Sequence, residues 1–234
     1  MSDLFRLFNG YNSDMLHHYF IKASEDGELD KIKYLLTSKE IPNNVDISYN
    51  DYNALRNACK YGHLEIVKYL LTSPDLKQHS DIHVDQDGPF ILACYSGNVE
   101  LVRYFLTSPD LKEHPNIHTK YMGGSDYGLV VACQLGHTDV VKYLLNSPDL
   151  KEHSDIHADG DRPLLISWNK KHFDIVNFLI FEMNIEKTPT INIYIHEEGM
   201  NDLQKMFDTR ELNQQLNEEL CSNLIQSSVK SIKI

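Results

Sequence analysis

Apolar positions along this chain recur in a fixed cadence. After Gly97 come Val99, Leu101, Val102, Tyr104, Phe105 and Leu106, spaced as one face of an α-helix, and then Ser108-Pro109-Asp110-Leu111-Lys112. The same phrase starts at Gly62, 35 residues earlier, and at Gly136, 39 residues later. Ahead of each Gly stands another apolar run: Ala54, Leu55 and Ala58; Pro89, Phe90, Leu92 and Ala93; Leu129, Val131 and Ala132. A period of this size predicts paired helices stacked into a solenoid, because one pair cannot bury its apolar face alone. Ser73-Pro74-Asp75, Ser108-Pro109-Asp110 and Ser147-Pro148-Asp149 predict a short third helical turn per repeat. Ser serves as N-cap, Pro suits the first turn and Asp favours the positive helix end. Leu76, Leu111 and Leu150 would then form a buried ridge.

The cadence extends outward from these copies. Residues 1–12 form a lead-in whose Leu4, Phe5, Leu7 and Phe8 suit the exposed end of the first repeat. Repeats are expected at 13–49, 51–84, 85–119, 120–158 and 159–181, with a divergent sixth at 188–207. The fourth is entered through a longer link, Lys120 to Asp126, containing Gly123-Gly124. In the fifth, Lys171 replaces the Gly between helices, so that turn must be made by a less permissive residue. Asp208-Thr209-Arg210-Glu211 has the form of a capping box, and Leu212, Leu216, Leu220 and Leu224 follow on one stripe. This predicts a C-terminal capping helix over 208–234. The stripe covers too few heptads for a coiled coil, and a monomer is favoured.

Composition narrows the partner classes. Apolar residues make up 41% and charged residues 24%, as in ordinary folded domains. A net charge of −12 argues against nucleic acid and anionic membranes, which need clustered Lys and Arg. It allows a protein partner with a basic patch. No apolar run approaches the ~20 residues needed to span a bilayer, and the first ten residues do not have the form of a secretory leader. Cys59, Cys94 and Cys133 recur at one repeat position, one repeat apart, which suits buried thiols and not disulfides. A reducing, cytoplasmic setting is therefore expected.

The layout Pro89-Phe90-Ile91-Leu92-Ala93-Cys94, two residues, Gly97, then Val99-Glu100-Leu101-Val102 resembles an ankyrin repeat. His63 and His137 follow their Gly, as in that family, and Asp81-Ile82-His83, Asn116-Ile117-His118 and Asp155-Ile156-His157 resemble the segment before its hairpin. The resemblance covers residues 13–181 and, more weakly, 188–207. It implies an all-α helical repeat solenoid of five to six repeats with short hairpin loops, which binds another protein through its concave face without catalysis.

Candidate chemistry changes this little. Three of the pairings among the 12 histidines are four residues apart, His79/His83, His114/His118 and His153/His157. That spacing can present two imidazoles to a metal. None forms H-E-x-x-H, and all repeat with the array as structural residues do, so neither metal nor cofactor is expected. Binding is instead expected where copies differ. The candidates are Tyr61, Tyr95, Gln134 and Leu135 before the glycines, Asp85, Asp87 and Tyr121 in the hairpins, and Trp168, which replaces the repeated Cys. Two alternatives stay open: an effector that sequesters a target protein, and a metal- or small-molecule-binding enzyme built on the histidine loops.

Overall fold

The computed structural model describes residue 8, residues 11–41, 45–121 and 123–232, with side chains through residue 222. Leu4, Phe5 and Leu7 of the lead-in, Met122 of the long link and the Leu224 side chain lie outside the described residues. Twelve helices follow in six pairs among the described residues: α1 (Ser13–Asp26) and α2 (Leu29–Thr37); α3 (Tyr49–Lys60) and α4 (Leu64–Thr72); α5 (Val84–Ser96) and α6 (Val99–Thr107); α7 (Tyr127–Leu135) and α8 (Thr138–Asn146); α9 (Ala158–Asn169) and α10 (Phe173–Asn177); α11 (Pro189–Glu197) and α12 (Asn201–Ile232). First helices pack in series, α1 on α3, α3 on α5, and so on to α11. Second helices form an outer row. One continuous core runs from Phe8 to Phe207, as expected of an all-α repeat solenoid. Among the described residues no helix is long and apolar enough to cross a membrane.

Each pair is joined by the same turn. Gly27, Gly62, Gly97 and Gly136 adopt φ between 74° and 79°, a left-handed conformation that a Cβ disfavours. Space forbids the Cβ as well. The ring of His137 lies against Gly97 so closely that an added Cβ would be 2.5 Å from its Nδ1. His172 meets Gly136 at 2.6 Å and His63 meets Gly27 at 2.8 Å in the same way. Each ring belongs to the following repeat and donates from Nε2 to a backbone carbonyl of the preceding one. His63 reaches Glu25 O (2.8 Å), His137 reaches Tyr95 O (2.9 Å) and His172 reaches Gln134 O (3.1 Å). Asn98 substitutes in the remaining copy, its Nδ2 donating to Gly62 O (2.9 Å). The Gly-His pair thus joins consecutive repeats. Lys171 makes the equivalent turn at φ 63°.

A second joint links the entry turns. Asp87 Oδ2 accepts Asn116 N–H (3.1 Å), Asp126 Oδ1 accepts Asp155 N–H (2.9 Å), and His17 Nε2 accepts Asp46 N–H (2.9 Å). Each acceptor stands ten residues before its inter-helix turn. On the outer row, Lys33, Lys68, Arg103 and Lys142 lie over Tyr69, Tyr104, Tyr143 and Phe178 of the next repeat. Such contacts add of order 0.5–1 kcal/mol each at exposed sites.

The connections between helices are short, and the last helix starts earlier than expected. The hairpins are reduced to left-handed turns: Asn50-Asp51-Tyr52, Asp85-Gln86-Asp87 and Asp159-Gly160-Asp161 all have positive φ. Asn, Asp and Gly tolerate this region best. The long link closes only an isolated bridge, Tyr121 to Gly124. The Ser-Pro-Asp phrase makes a single turn, with Leu76 N–H on Ser73 O (3.2 Å) and Asp75 N–H on Ser73 Oγ (3.3 Å). The last helix begins at Asn201, not at the Asp208 capping box. No Gly or Pro interrupts it, and the Thr209 hydroxyl donates back to Lys205 O (2.7 Å), a mid-helix bond. Leu203 and Phe207 close the last repeat, whereas Leu212, Leu216 and Leu220 are exposed beyond it.

Candidate functional site

The first helices end in a row of surface side chains, one set per repeat. Tyr61 is 47% exposed, Tyr95 43% and Leu135 36%. Gln134 is exposed beside Leu135. Tyr61 stacks over His63 with ring centroids 6.4 Å apart. Lys60 Nζ lies 5.5 Å from the Tyr61 ring and 6.0 Å from the Tyr95 ring, so one cation spans two repeats. The row exists because the residues just before each Gly face away from the core while Ala58, Ala93 and Ala132 face into it.

At the far end, Trp168 is half-buried and meets Phe173 edge-on (5.7 Å, 77°). Phe173 itself is 48% exposed. Sequence reasoning passed over Phe173. The signal was available, since an aromatic stands where Leu64, Val99 and Thr138 begin the other second helices. Trp168 holds the position of buried Cys59, Cys94 and Cys133 and is itself half-buried, packed against the core.

The hairpin candidates divide. Asp85 is exposed, with Arg56 Nη2 at 3.5 Å. Asp87, expected to meet a partner, is turned into the stack: it accepts from His83 Nδ1 (2.6 Å) as well as from Asn116 N–H. Tyr121 is half-buried against Tyr127, centroids 4.9 Å apart.

Every histidine of the three four-spaced pairs has a structural bond. His79 and His153 donate from Nε2 to Ser73 O and Ser147 O (2.9 Å each), and His114 donates from Nδ1 to Phe105 O (2.8 Å). His83, His118 and His157 donate from Nδ1 to Asp87, Asp126 and Asp161 at 2.6, 2.9 and 2.6 Å. The His83 imidazole is held above its usual value: burial opposes protonation, but the Asp87 hydrogen bond and the charges of Asp87, Glu113 and Asp81 outweigh it. Among the described residues, no three His, Cys, Asp or Glu side chains converge on a metal position. Burial pushes the thiols of Cys59, Cys94 and Cys133 upward, that of Cys133 to about 12, which leaves them protonated and weakly nucleophilic.

A family model of ankyrin repeats matches the chain in three copies, over residues 5–82 and 90–191. The chain belongs to the ankyrin repeat family. No curated protein matches it. Ankyrin repeats generally mediate protein–protein interaction and are typically not enzymes. This ankyrin array departs from the common pattern in its stubby left-handed entry turns and in the Ser-Pro-Asp-Leu-Lys segment between repeats.

Proposed function

We propose that this array binds a partner protein through the row Tyr61, Tyr95 and Leu135, extended by Gln134 and the Trp168–Phe173 pair. The observation that carries this is the recurrence of exposed aromatic and apolar side chains just before the inter-helix Gly of three consecutive repeats, with Lys60 bridging the first two rings. Aromatic anchors of this kind concentrate binding energy, because a rigid ring buries much area at little entropic cost. Asp85, with the net charge of −12, favours a basic rim on the partner, and Tyr121 adds a half-buried aromatic at the entry-turn end of the fourth repeat. The test is comparative pull-down from the native cell with wild type and a Tyr61→Ala/Tyr95→Ala variant, both checked for helicity. A protein recovered by wild type should fall by about tenfold or more with the variant, the scale of losing hot-spot anchors. Equal recovery by a folded variant would move binding off this row.

A further inference from the structure

The last helix outruns the stack. Four residues set its inner face: Leu203 and Phe207 are buried, Arg210 Nη1 donates to Ile185 O, and Gln214 Nε2 donates to Asn184 Oδ1 (2.8 Å). Among the described residues, no side chain after Gln214 bonds to the stack. From Glu211 to Ser222 every side chain is exposed, yet the helix continues to Ile232. Helices in water draw most of their stability from packing an amphipathic face, and short lengths are marginal alone. This arm has such a face, and nothing in the chain covers it.

Leu212, Leu216 and Leu220 are 56%, 48% and 58% exposed. Their four-residue steps set them in one ridge. At 3.6 residues per turn the ridge lies about 150° round the helix from the face that Leu203, Phe207, Arg210 and Gln214 share. It points away from the stack and cannot fold back on it while Phe207 stays buried.

Charge narrows what can cover the ridge. Glu211, Glu218 and Glu219 fall on one flank of it, and Asn213 and Asn217 on the other. No Lys or Arg stands between Glu211 and Ser222. A second copy of the chain therefore brings no cation to the acidic flank. An antiparallel pair would set carboxylates against carboxylates, and a parallel pair would set them against Asn213 and Asn217. An anionic membrane surface would be repelled. A helix with an apolar row bordered by Lys or Arg satisfies both features. Its row packs beside the leucine ridge, as i±4 ridges of two helices commonly interdigitate. Its cations reach the acidic flank at the rim, where charge fixes orientation and speeds encounter.

We infer that Leu212, Leu216 and Leu220 form a docking ridge for a basic amphipathic helix of a partner protein. The ridge lies outside the Tyr61–Tyr95 row and stands or falls without it.

The probe is a fluorescein-labelled helical peptide with Leu at every fourth position, Lys along one flank and Gln elsewhere, measured by anisotropy against the full chain. One comparison peptide carries Glu in place of every Lys. The other keeps the composition and scatters the leucines round the helix. The phased Lys peptide should bind about tenfold or more tighter than either. Leu216→Ser/Leu220→Ser leaves every charge in place and should weaken it about tenfold or more, as the loss of two buried leucines requires. Glu218→Lys/Glu219→Lys keeps the ridge and should weaken it about three- to tenfold. Tyr61→Ala/Tyr95→Ala should leave it unchanged. Circular dichroism establishes that each variant is folded, and sedimentation should show the chain monomeric at the assay concentrations. The inference is overturned if the Lys and Glu peptides bind alike or not at all, or if scattered leucines serve as well. It is overturned if the leucine variant binds as wild type, which would leave only attraction to the net charge of −12. Self-association that the leucine variant abolishes would give the ridge to a second copy, and loss of binding in the tyrosine variant would place the peptide on the other row; either result overturns it.

Discussion

Replacing Gly97 by Ala separates two effects that coincide at the inter-helix turn. The residue sits at φ 74°, where an L side chain costs about 1–2 kcal/mol. The new Cβ would also stand 2.5 Å from His137 Nδ1 and 2.7 Å from its Cε1, which no ring tolerates without moving. Displacing that ring forfeits its bond to Tyr95 O, a further ~1 kcal/mol. Gly97→Ala should therefore cost about 2–3 kcal/mol. Gly160 is the control: φ 68°, with nothing within 4 Å of an added Cβ. Gly160→Ala should show the conformational cost alone, about 1–2 kcal/mol. Urea unfolding followed by circular dichroism gives each value from the midpoint and slope. In a His137→Ala background the Gly97→Ala cost should shrink by about 1 kcal/mol, the coupling between the two sites. If the two substitutions add, or if Gly97→Ala costs no more than Gly160→Ala, the ring-on-glycine joint is wrong.

Other outcomes follow from the same geometry. Lys171 already occupies φ 63°, so Lys171→Gly should raise the unfolding midpoint, by about 0.5–1 kcal/mol equivalent, where Gly in an ordinary helix would lower it. His83 has a raised folded-state pKa, so its contribution is complete below the unfolded value near ~6.5 and is lost as pH rises through the folded value. The stability gap between wild type and His83→Gln should accordingly be wider at about pH 6 than at about pH 8.5, and a gap independent of pH would remove His83 from the account. Serine at exposed Leu212, Leu216 or Leu220 should change thermal stability by no more than about 0.5 kcal/mol each. Phe207→Ala, at a fully buried position, should cost about 3–5 kcal/mol, and equal effects would mean that the helix end packs on the stack.

Much of the architecture was legible because it repeats. The apolar spacing around Gly62, Gly97 and Gly136 announced helix pairs, and the pair before each Gly marked the exposed row that contains Tyr61, Tyr95 and Leu135. The bonds Asp87 makes inside the stack were not legible because a charged residue in a turn looks free in one dimension. Its partners, His83 and Asn116 N–H, come from opposite sides along the chain, one four residues before and one 29 after. The start of the last helix was misplaced for a related reason: a capping box has the right residue types at Asp208 whether or not the chain is already helical there. Phe173 was overlooked because its place at the head of a second helix is ordinarily a minor one.

Sequence alone determined the solenoid and its family and narrowed its units to five or six, since helical periodicity and left-handed glycine turns are local properties repeated often enough to exceed chance. Only the tertiary structure decided which polar groups were spent inside the stack and which were left over. The histidines after each Gly, the Asp87 and Asp126 acceptors and the unpartnered Ser80 hydroxyl are all alike as residue types, being polar and close to turns. What separates them is the neighbouring repeat, about 35 residues away, which satisfies most of them and leaves the Ser80 hydroxyl buried without a partner.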